Sequence, residues 1–318
     1  MSTLTRRELL KMGGAGAAML AATGGVASAQ AASAPAAAEA KKERWSLCIN
    51  TSTIRPASLE EKVEFTAKAG YDAIELWIDD LAGYEKSGKS LDDLAKRIKD
   101  LGLTVPNVIG IWNSMPVNEA DKPKAHEEAK RRLALAAKVG AKHIAAVPGP
   151  DRPDIDVLWA AQRYGELVDL GKEVGVGVGL EFLGFAKGIH TLGQAVAIAM
   201  ESGRPDASVV ADTYHIHRGG GSFAGAALTS GAAYAVWHIN DVPAQPAAAQ
   251  LQDSDRLYPG DGILPLAQLL KDLWKVGFRG PLSIEIFSRE EWKKPLADVA
   301  KTGIEKMRAV IAKSGVGA

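Results

Sequence analysis

The feature that most constrains the fold is a regular alternation, from Trp45 onward, of short apolar runs and longer amphipathic stretches. Eight runs have the length and composition of β-strands, and segments with helical periodicity separate them. Strands that alternate with helices pair in parallel, and eight such units predict an α/β fold of the (β/α)8 TIM barrel type. The predicted strands are Trp45–Asn50, Ala73–Ile78, Thr104–Ile109, His143–Val147, Gly177–Leu183, Ser208–Thr213, Ala235–Asn240 and Leu282–Phe287.

An open, doubly wound sheet is the alternative architecture for this pattern. Its nucleotide-binding variants lose support because no Gly-x-Gly-x-x-Gly follows the first strand and no P-loop is present. Helix starts are marked by two capping boxes, Ser58-x-x-Glu61 and Thr191-x-x-Gln194. Residues 242–262 lack clear periodicity and are predicted to be a long loop, and a loop of this length is usually functional or mobile.

The N-terminus predicts export. Thr5-Arg6-Arg7 opens a weakly apolar, Gly- and Ala-rich stretch that ends in Ala27-Ser28-Ala29, a small-residue cleavage pattern. These features in this order predict a signal peptide of the twin-arginine (Tat) type over residues 1–29, recognition by the Tat export machinery, and a periplasmic or extracellular mature protein. The alternative is an N-terminal membrane anchor, but the apolar stretch is shorter than the ~20 residues that span a bilayer. Residues 30–44 are predicted to be a flexible tether, and 45–318 one barrel domain without a stable membrane anchor.

Charge and cysteine content exclude other classes. The 38 basic and 38 acidic side chains cancel, which argues against nucleic-acid binding because that requires a basic footprint. The single cysteine, Cys48, rules out an internal disulfide and a cysteine zinc cluster.

Ionisable residues end four successive apolar runs. Glu181, Asp212, His238 and Glu285 lie at the ends of predicted strands five to eight, 31, 26 and 47 positions apart. The carboxyl ends of barrel strands meet at one mouth, where three carboxylates would repel one another unless a cation neutralised them. Three carboxylates and one imidazole favour Mn²⁺ or Mg²⁺, with Co²⁺ or Zn²⁺ as alternatives. The competing interpretation is four unrelated structural polar groups.

These segments resemble the xylose-isomerase-like TIM-barrel superfamily, which contains sugar isomerases, epimerases, keto-inositol dehydratases and endonuclease IV. The resemblance covers roughly residues 45–312. It implies that Glu181, Asp212, His238 and Glu285 bind the metal and that Glu181 and Glu285 are the catalytic acid and base. It also implies that His215, in Asp212-Thr213-Tyr214-His215, contacts the substrate. Arg256, ahead of Pro259-Gly260-Asp261-Gly262, is expected to hold substrate oxygens, although it lies farther after His238 than the family pattern has it.

Further candidates are less specific. Glu75 ends the second strand and faces either the mouth or a helix. Trp112, together with Trp77, could form an apolar wall for a sugar ring, or could simply pack at the rim. His190 could be an acid/base or a loop residue. Asp241 could orient His238 as a hydrogen-bond acceptor. His143 and His126 are predicted to be structural and solvated, respectively.

The predicted function is a metal-dependent isomerase or epimerase of carbohydrate metabolism that acts on a sugar or keto-sugar through an enediolate. The alternative is a lyase or dehydratase that eliminates a β-substituent from a 3-keto-glycoside or keto-cyclitol. A third possibility is a non-catalytic periplasmic sugar-binding protein. The sequence is compatible with either a monomer or a homo-oligomer.

Overall fold

The computed structural model describes residues 44–113, 115–147, 149 and 151–317, and within them the predicted strands form a closed barrel. Each strand pairs in parallel with the next, and the last pairs with the first. The strands are β1 (Ser46–Asn50), β2 (Ala73–Trp77), β3 (Asn107–Ile111), β4 (His143–Ala146), β5 (Gly177–Glu181), β6 (Ser208–Asp212), β7 (Tyr234–Ile239) and β8 (Pro281–Ile284). The (β/α)8 TIM barrel is therefore confirmed.

Helices follow the strands and pack outside the barrel. They are α1 (Leu59–Ala69), α2 (Ile78–Lys86), α3 (Leu91–Asp100), α4 (Lys122–Lys138), α5 (Val157–Glu173), α6 (Leu192–Glu201), α7 (Thr213–Arg218), α8 (Leu266–Lys275) and α9 (Leu296–Ser314). In α3 the buried residues Leu91, Leu94 and Ile98 recur at helical spacing and form the face that packs inward. Both predicted capping boxes are present, at the starts of α1 and α6. None of the described helices is long and apolar enough to cross a bilayer.

The third strand begins later than its predicted start at Thr104. Thr104 makes an isolated bridge to Ala73, and continuous pairing starts at Asn107, after Pro106. Because proline has no N–H to donate to the ladder, it stands before the strand rather than inside it. The apolar character of Val105 extended the predicted strand across this boundary.

Residues 242–262 form an ordered loop over the mouth rather than a featureless insertion. The loop contains two short 3₁₀ turns, Ala248–Gln250 and Asp253–Asp255. Its base is closed by an antiparallel bridge between Asp241 and Leu257, whose amide groups donate to each other's carbonyl oxygens at 3.0 and 2.8 Å.

The predicted signal peptide and nearly all of the predicted tether lie outside the described residues. Arg44, the first described residue, donates from its guanidinium to both carboxylate oxygens of Asp72 at 2.6 and 2.7 Å.

Candidate metal centre and active site

The barrel brings the four predicted ligands together. Glu181 ends β5, Asp212 ends β6, His238 lies in β7 and Glu285 directly follows β8. Pairing of β6 with β7 sets Asp212 beside His238. One ligand atom from each residue lies within 4.8 Å of the others, and all four side chains are buried. The sequence prediction that these residues share one site at the carboxyl ends of the strands agrees with this geometry.

The imidazole of His238 is the centre of the cluster. Its Nδ1 lies 3.3 Å from Glu181 Oε1, 3.3 Å from Glu285 Oε2 and 3.6 Å from Asp212 Oδ2. This nitrogen is buried and makes no hydrogen bond. A buried nitrogen without a partner, facing three carboxylate oxygens, fits a divalent cation, which would be shared by one imidazole and three carboxylates.

Two of the three carboxylates, those of Asp212 and Glu285, are oriented by the oxygen that does not face His238. Asp212 Oδ1 accepts from the amides of Tyr214 and His215 at 2.6 and 3.2 Å, which makes Asp212 the N-cap of α7. Glu285 Oε1 accepts from Asn50 Nδ2 at 2.9 Å. The second oxygen of each of these two carboxylates is thereby left facing His238.

Arg256 reaches the same oxygens from the loop. Its Nη1 donates to Asp212 Oδ2 at 2.6 Å and to Glu285 Oε2 at 2.8 Å. Its Nη2 and Nε donate to Asp253 Oδ1 at 2.7 and 3.1 Å. The guanidinium also stacks over the ring of Tyr214, 4.3 Å from its centroid. Arg256 is thus a buried counter-charge to the carboxylate cluster, and its placement at the site agrees with the sequence prediction.

Burial and charge act against each other at the cluster. Burial raises the pKa of Glu181 to about 7, and the neighbouring Glu285 and Asp212 carboxylates add to that shift. Burial likewise raises the pKa of Glu285, despite the attraction of His238 and Arg256. Burial would also raise the pKa of Asp212, but the Arg256 guanidinium together with the neighbouring His215 and His238 outweighs burial and holds this pKa well below its usual range. Burial would lower the pKa of His238, yet Glu285 and Glu75 raise it well above its ordinary value. A positive charge at the centre of the cluster would therefore stabilise the ionised form of these carboxylates.

His215 and Arg256 present neighbouring donors to the mouth. The Gly184 amide donates to His215 Nδ1 at 3.1 Å, so the proton of the neutral ring lies on Nε2. Burial lowers the pKa of His215 to about 4, which keeps the ring neutral near pH 7. Its Nε2 lies 3.3 Å from Arg256 Nη2. Two donors at this separation can both reach one oxygen atom of a molecule in the adjacent cavity.

A cavity of about 170 Å³ opens above Glu181 and Glu285. Of the four cluster residues, only these two glutamates are among the described residues that line it. One wall is aromatic, because the ring centroids of Trp77 and Trp112 lie 6.0 Å apart. The other described lining residues are Ile109, Val147, Leu183, Phe185, His215, Asp253, Arg256 and Phe287. The predicted aromatic wall at Trp77 and Trp112 is therefore present.

Three substrate candidates occupy other positions. Glu75 is fully buried in the barrel interior and contacts His238 rather than the cavity. Asp241 does not orient His238, and that prediction is wrong: its carboxylate accepts from the amides of Val242, Gly260 and Leu264 and so holds the loop base. The His190 ring contacts the carbonyl of Gly188 within its own loop and does not line the cavity.

Sequence reasoning missed several polar contributors. Asn50 ends β1, Asn107 begins β3 and Ser283 lies in β8, and each reaches Glu75 inside the barrel. A polar side chain within an apolar strand was the available signal for all three. Asp253 was missed although it stands three positions before Arg256, a spacing that lets it pair with the arginine on a turn.

Comparison with known proteins points to one family. The family model described as xylose isomerase-like TIM barrel matches residues 63–310. An inosose isomerase of Bacillus velezensis is 30% identical over 279 residues, which cover 84% of this chain and 97% of the relative. An L-ribulose 3-epimerase of Mesorhizobium japonicum is 26% identical and covers 74% of this chain and 77% of the relative.

Two further comparisons add a dehydratase to the related sequences and a related crystal structure. A 3-dehydroshikimate dehydratase of Pseudomonas aeruginosa is 24% identical over 73% of this chain, although the match spans only 36% of the relative. The crystal structure of the IOLI protein with a binding zinc atom superposes with a TM-score of 0.79 at 27% identity, covering 85% of this chain and 99% of that one.

Proposed function

The chain belongs to the xylose isomerase-like TIM barrel family, and on this premise we propose that it is a divalent-metal-dependent isomerase or epimerase of sugars or keto-sugars. The observation that carries the proposal is the cluster of Glu181, Asp212, His238 and Glu285, in which both glutamates also line the cavity. The family members named above include an isomerase and an epimerase, which supports an enzyme of this type.

The four cluster residues would hold the metal ion. When bound, a divalent ion supplies positive charge that stabilises negative charge on substrate oxygens during deprotonation of the adjacent carbon. The carboxylate-rich donor set favours Mn²⁺ or Mg²⁺, whereas the related IOLI structure has zinc. Elemental analysis of the purified protein identifies the ion.

Glu181 and Glu285 remove the substrate proton and return it. One carboxylate takes the proton from the hydroxyl-bearing carbon next to the substrate carbonyl. The electron pair of the broken C–H bond forms a C=C bond, and the carbonyl π pair moves onto the oxygen, which gives an enediolate. Proton return to the neighbouring carbon gives an isomerase, and return to the opposite face gives an epimerase. The donors of His215 and Arg256, 3.3 Å apart, hold a substrate oxygen in place during this exchange.

The cavity favours a small, uncharged substrate. Its described lining includes three carboxylates, Glu181, Asp253 and Glu285, against one cation, Arg256, which is already paired with Asp253 and Glu285. A substrate phosphate or carboxylate would find no unpaired cation among these residues. The volume of about 170 Å³ equals roughly six water molecules at ~30 Å³ each, which suits a single ring.

Elimination is the second candidate reaction, because a 3-dehydroshikimate dehydratase is 24% identical over 73% of this chain. From the same deprotonated carbonyl compound, loss of a β-hydroxyl would release water from a keto-cyclitol, and loss of a β-alkoxyl would release an alcohol from a 3-keto-glycoside. The acidic cavity favours uncharged substrates for this reaction too.

Deuterium exchange distinguishes these reactions. The metal-loaded protein is incubated in D2O with free ketoses, keto-cyclitols and 3-keto-glycosides, and each mixture is followed by NMR. We expect deuterium at a retained carbon of an uncharged substrate, whereas release of water or an aglycone would identify elimination instead. No exchange into any carbohydrate would overturn the proposed function.

Two variants locate the reaction at the cluster. Glu285→Gln removes one proton acceptor and should reduce exchange by at least ~100-fold, since general acid–base groups contribute 10²–10⁴-fold. His126→Ala is the control, because His126 lies on the outer helix α4 and contacts Glu166 at 3.2 Å. Equal damage by both variants would contradict the location of the site.

We also propose that the protein is exported by the twin-arginine route and acts in the periplasm or outside the cell. The support is the order of Arg6-Arg7, the weakly apolar stretch and Ala27-Ser28-Ala29. Export of an already folded, metal-loaded protein would suit a site buried as deeply as this cluster.

A further inference from the structure

The side chain of Glu75 lies inside the barrel, on the far side of His238 from the cavity. It is fully buried, and it comes from β2, which does not pair with β7 in the sheet. Its Oε1 lies 2.9 Å from His238 Nε2. The contact therefore crosses the barrel interior and reaches the ring nitrogen opposite the one that faces the carboxylate cluster.

Four side chains surround the Glu75 carboxylate with hydrogen-bond donors. Asn107 Nδ2 donates to Oε1 at 2.7 Å, and Asn50 Nδ2 and Ser283 Oγ donate to Oε2 at 3.0 and 2.6 Å. The orientation of Asn50 is fixed independently, because its Oδ1 accepts from Trp77 Nε1 at 2.7 Å and from the Ser52 amide at 2.9 Å. A carboxylate with donors on both oxygens is held as the anion.

This arrangement determines the tautomer of His238. Because the donors from Asn50, Asn107 and Ser283 hold Glu75 as the carboxylate anion, its Oε1 acts only as an acceptor. The hydrogen between Glu75 and His238 therefore belongs to Nε2 of the ring, and the lone pair of the neutral imidazole lies on Nδ1. Nδ1 is the buried nitrogen that has no hydrogen bond and faces Glu181, Asp212 and Glu285.

We propose that Glu75 is the positioning residue of the metal centre, because it fixes the ring and tautomer of His238 so that Nδ1 is presented to the ion. A carboxylate behind a metal-ligating histidine has this effect in general, and its loss typically weakens metal binding by 10–100-fold. The inference rests on the proposed metal site and is independent of which carbohydrate the enzyme uses.

A purely structural role predicts a different outcome. The donors of Glu75 come from β1, β3, β7 and β8, so the residue also cross-links the barrel interior. If cross-linking were its only role, removing its charge would lower stability without changing metal affinity in the protein that remains folded. Metal affinity and the His238 tautomer are therefore the deciding measurements.

The first experiment measures Zn²⁺ and Mn²⁺ dissociation constants by competition with a chromogenic chelator. Glu75→Gln keeps the shape of the side chain but places an amide donor against either Asn50 or His238. We expect it to weaken binding of both metals by 10–100-fold. Ser283→Ala is the matched control, because it removes a donor to Glu75 whereas the Ser283 hydroxyl itself is not hydrogen-bonded to the His238 ring, and it should change affinity by less than about threefold. Unchanged affinity in Glu75→Gln would overturn the proposal.

A double-mutant cycle tests whether Glu75 acts through His238. In a His238→Asn background, Glu75→Gln should change metal affinity by less than about threefold, because the ring that it positions is gone. An equal loss in both backgrounds would show that Glu75 acts by another path and would contradict the proposal.

The wild-type protein provides a test that does not depend on any variant folding. In protein loaded with ¹¹³Cd²⁺, long-range ¹H–¹⁵N spectra of labelled histidine should show the His238 hydrogen on Nε2 alone, and ¹¹³Cd²⁺ should couple to Nδ1. A hydrogen on Nδ1, or coupling to Nε2, overturns the proposal. A protein that binds metal through Nδ1 but exchanges no carbohydrate proton would leave this inference intact and overturn only the proposed function.

Discussion

Arg256 is expected to replace a metal ion as the counter-charge of the cluster, and Arg256→Met tests this. The guanidinium contacts Asp212 Oδ2 and Glu285 Oε2, the same two oxygens that face His238 Nδ1. A cation bound at Nδ1 and the Arg256 guanidinium therefore compete for these oxygens. The stabilisation contributed by Arg256 should depend on whether a metal is present.

The free energy of unfolding that Arg256→Met should lose can be worked out from the burial of the ion pair. The Arg256, Asp212 and Glu285 side chains are 2%, 0% and 4% exposed. Removing one partner of a buried ion pair costs about 3–5 kcal/mol, because the remaining charge is left buried and uncompensated. We expect Arg256→Met to lose about this free energy of unfolding in EDTA. In excess Mn²⁺ or Zn²⁺ the ion neutralises the same oxygens, and the loss should fall to less than half.

Equilibrium urea unfolding, followed by tryptophan fluorescence, measures both conditions. Arg131→Met is the matched control: Arg131 is half exposed on α4 and pairs with Glu128, so its loss should stay within ~0.5 kcal/mol with or without metal. Two results would refute the reasoning. One is a loss for Arg256→Met in EDTA no larger than that of the control, and the other is the same large loss with and without metal.

The remaining predictions concern stability, pH and export. Tyr164→Phe removes a buried hydroxyl that contacts the Val178 and Ser208 carbonyl oxygens and accepts from the Ser208 amide. We expect the free energy of unfolding in urea to fall by about 1–3 kcal/mol with activity retained. A fall below ~0.5 kcal/mol would contradict the assigned contacts. Burial lowers the pKa of His143, so the folded state favours the neutral ring. The stability that this histidine contributes is therefore complete above its ordinary pKa near 6.5 and is lost as pH falls through the lower pKa of the folded state. His143→Gln should flatten the slope of the free energy of unfolding against pH below 6.5, and an unchanged slope would disprove this contribution. In a bacterium with the twin-arginine system the mature chain should start at Gln30 in the periplasmic fraction by mass spectrometry, whereas replacement of Arg6 and Arg7 by lysine should retain the precursor in the cytoplasm; an intact N-terminus or equal export of the variant would argue against the signal peptide.

Features that depend on local chain chemistry were predictable from the sequence. All eight strands and both capping boxes follow from periodicity and from side chains that bond to nearby backbone. The ligand cluster was predictable for a related reason: Glu181, Asp212 and Glu285 each interrupt an apolar run at the end of a strand, and the barrel topology brings strand ends together.

Contacts across the barrel interior were not predictable in this way. Glu75 and Asp241 both look like strand-end carboxylates in the sequence, yet one points inward to His238 and the other binds loop amides. Which of these a carboxylate does depends on side-chain direction and on partners distant in sequence. Asn50 and Glu285, for example, are 235 positions apart and share a hydrogen bond.

The closed base of the 242–262 loop separates the part of the loop that positions Arg256 from the part that borders the approach to the mouth. Since Asp241 binds the amides of Gly260 and Leu264 and bridges to Leu257, the position of Arg256 is set from the end of the loop next to it. Residues 243–250 form the outward arc of the loop, and none of the described hydrogen bonds of the Arg256 side chain involves them. Insertions or deletions confined to this arc could therefore alter what approaches the mouth during evolution while the chemistry beneath it is preserved.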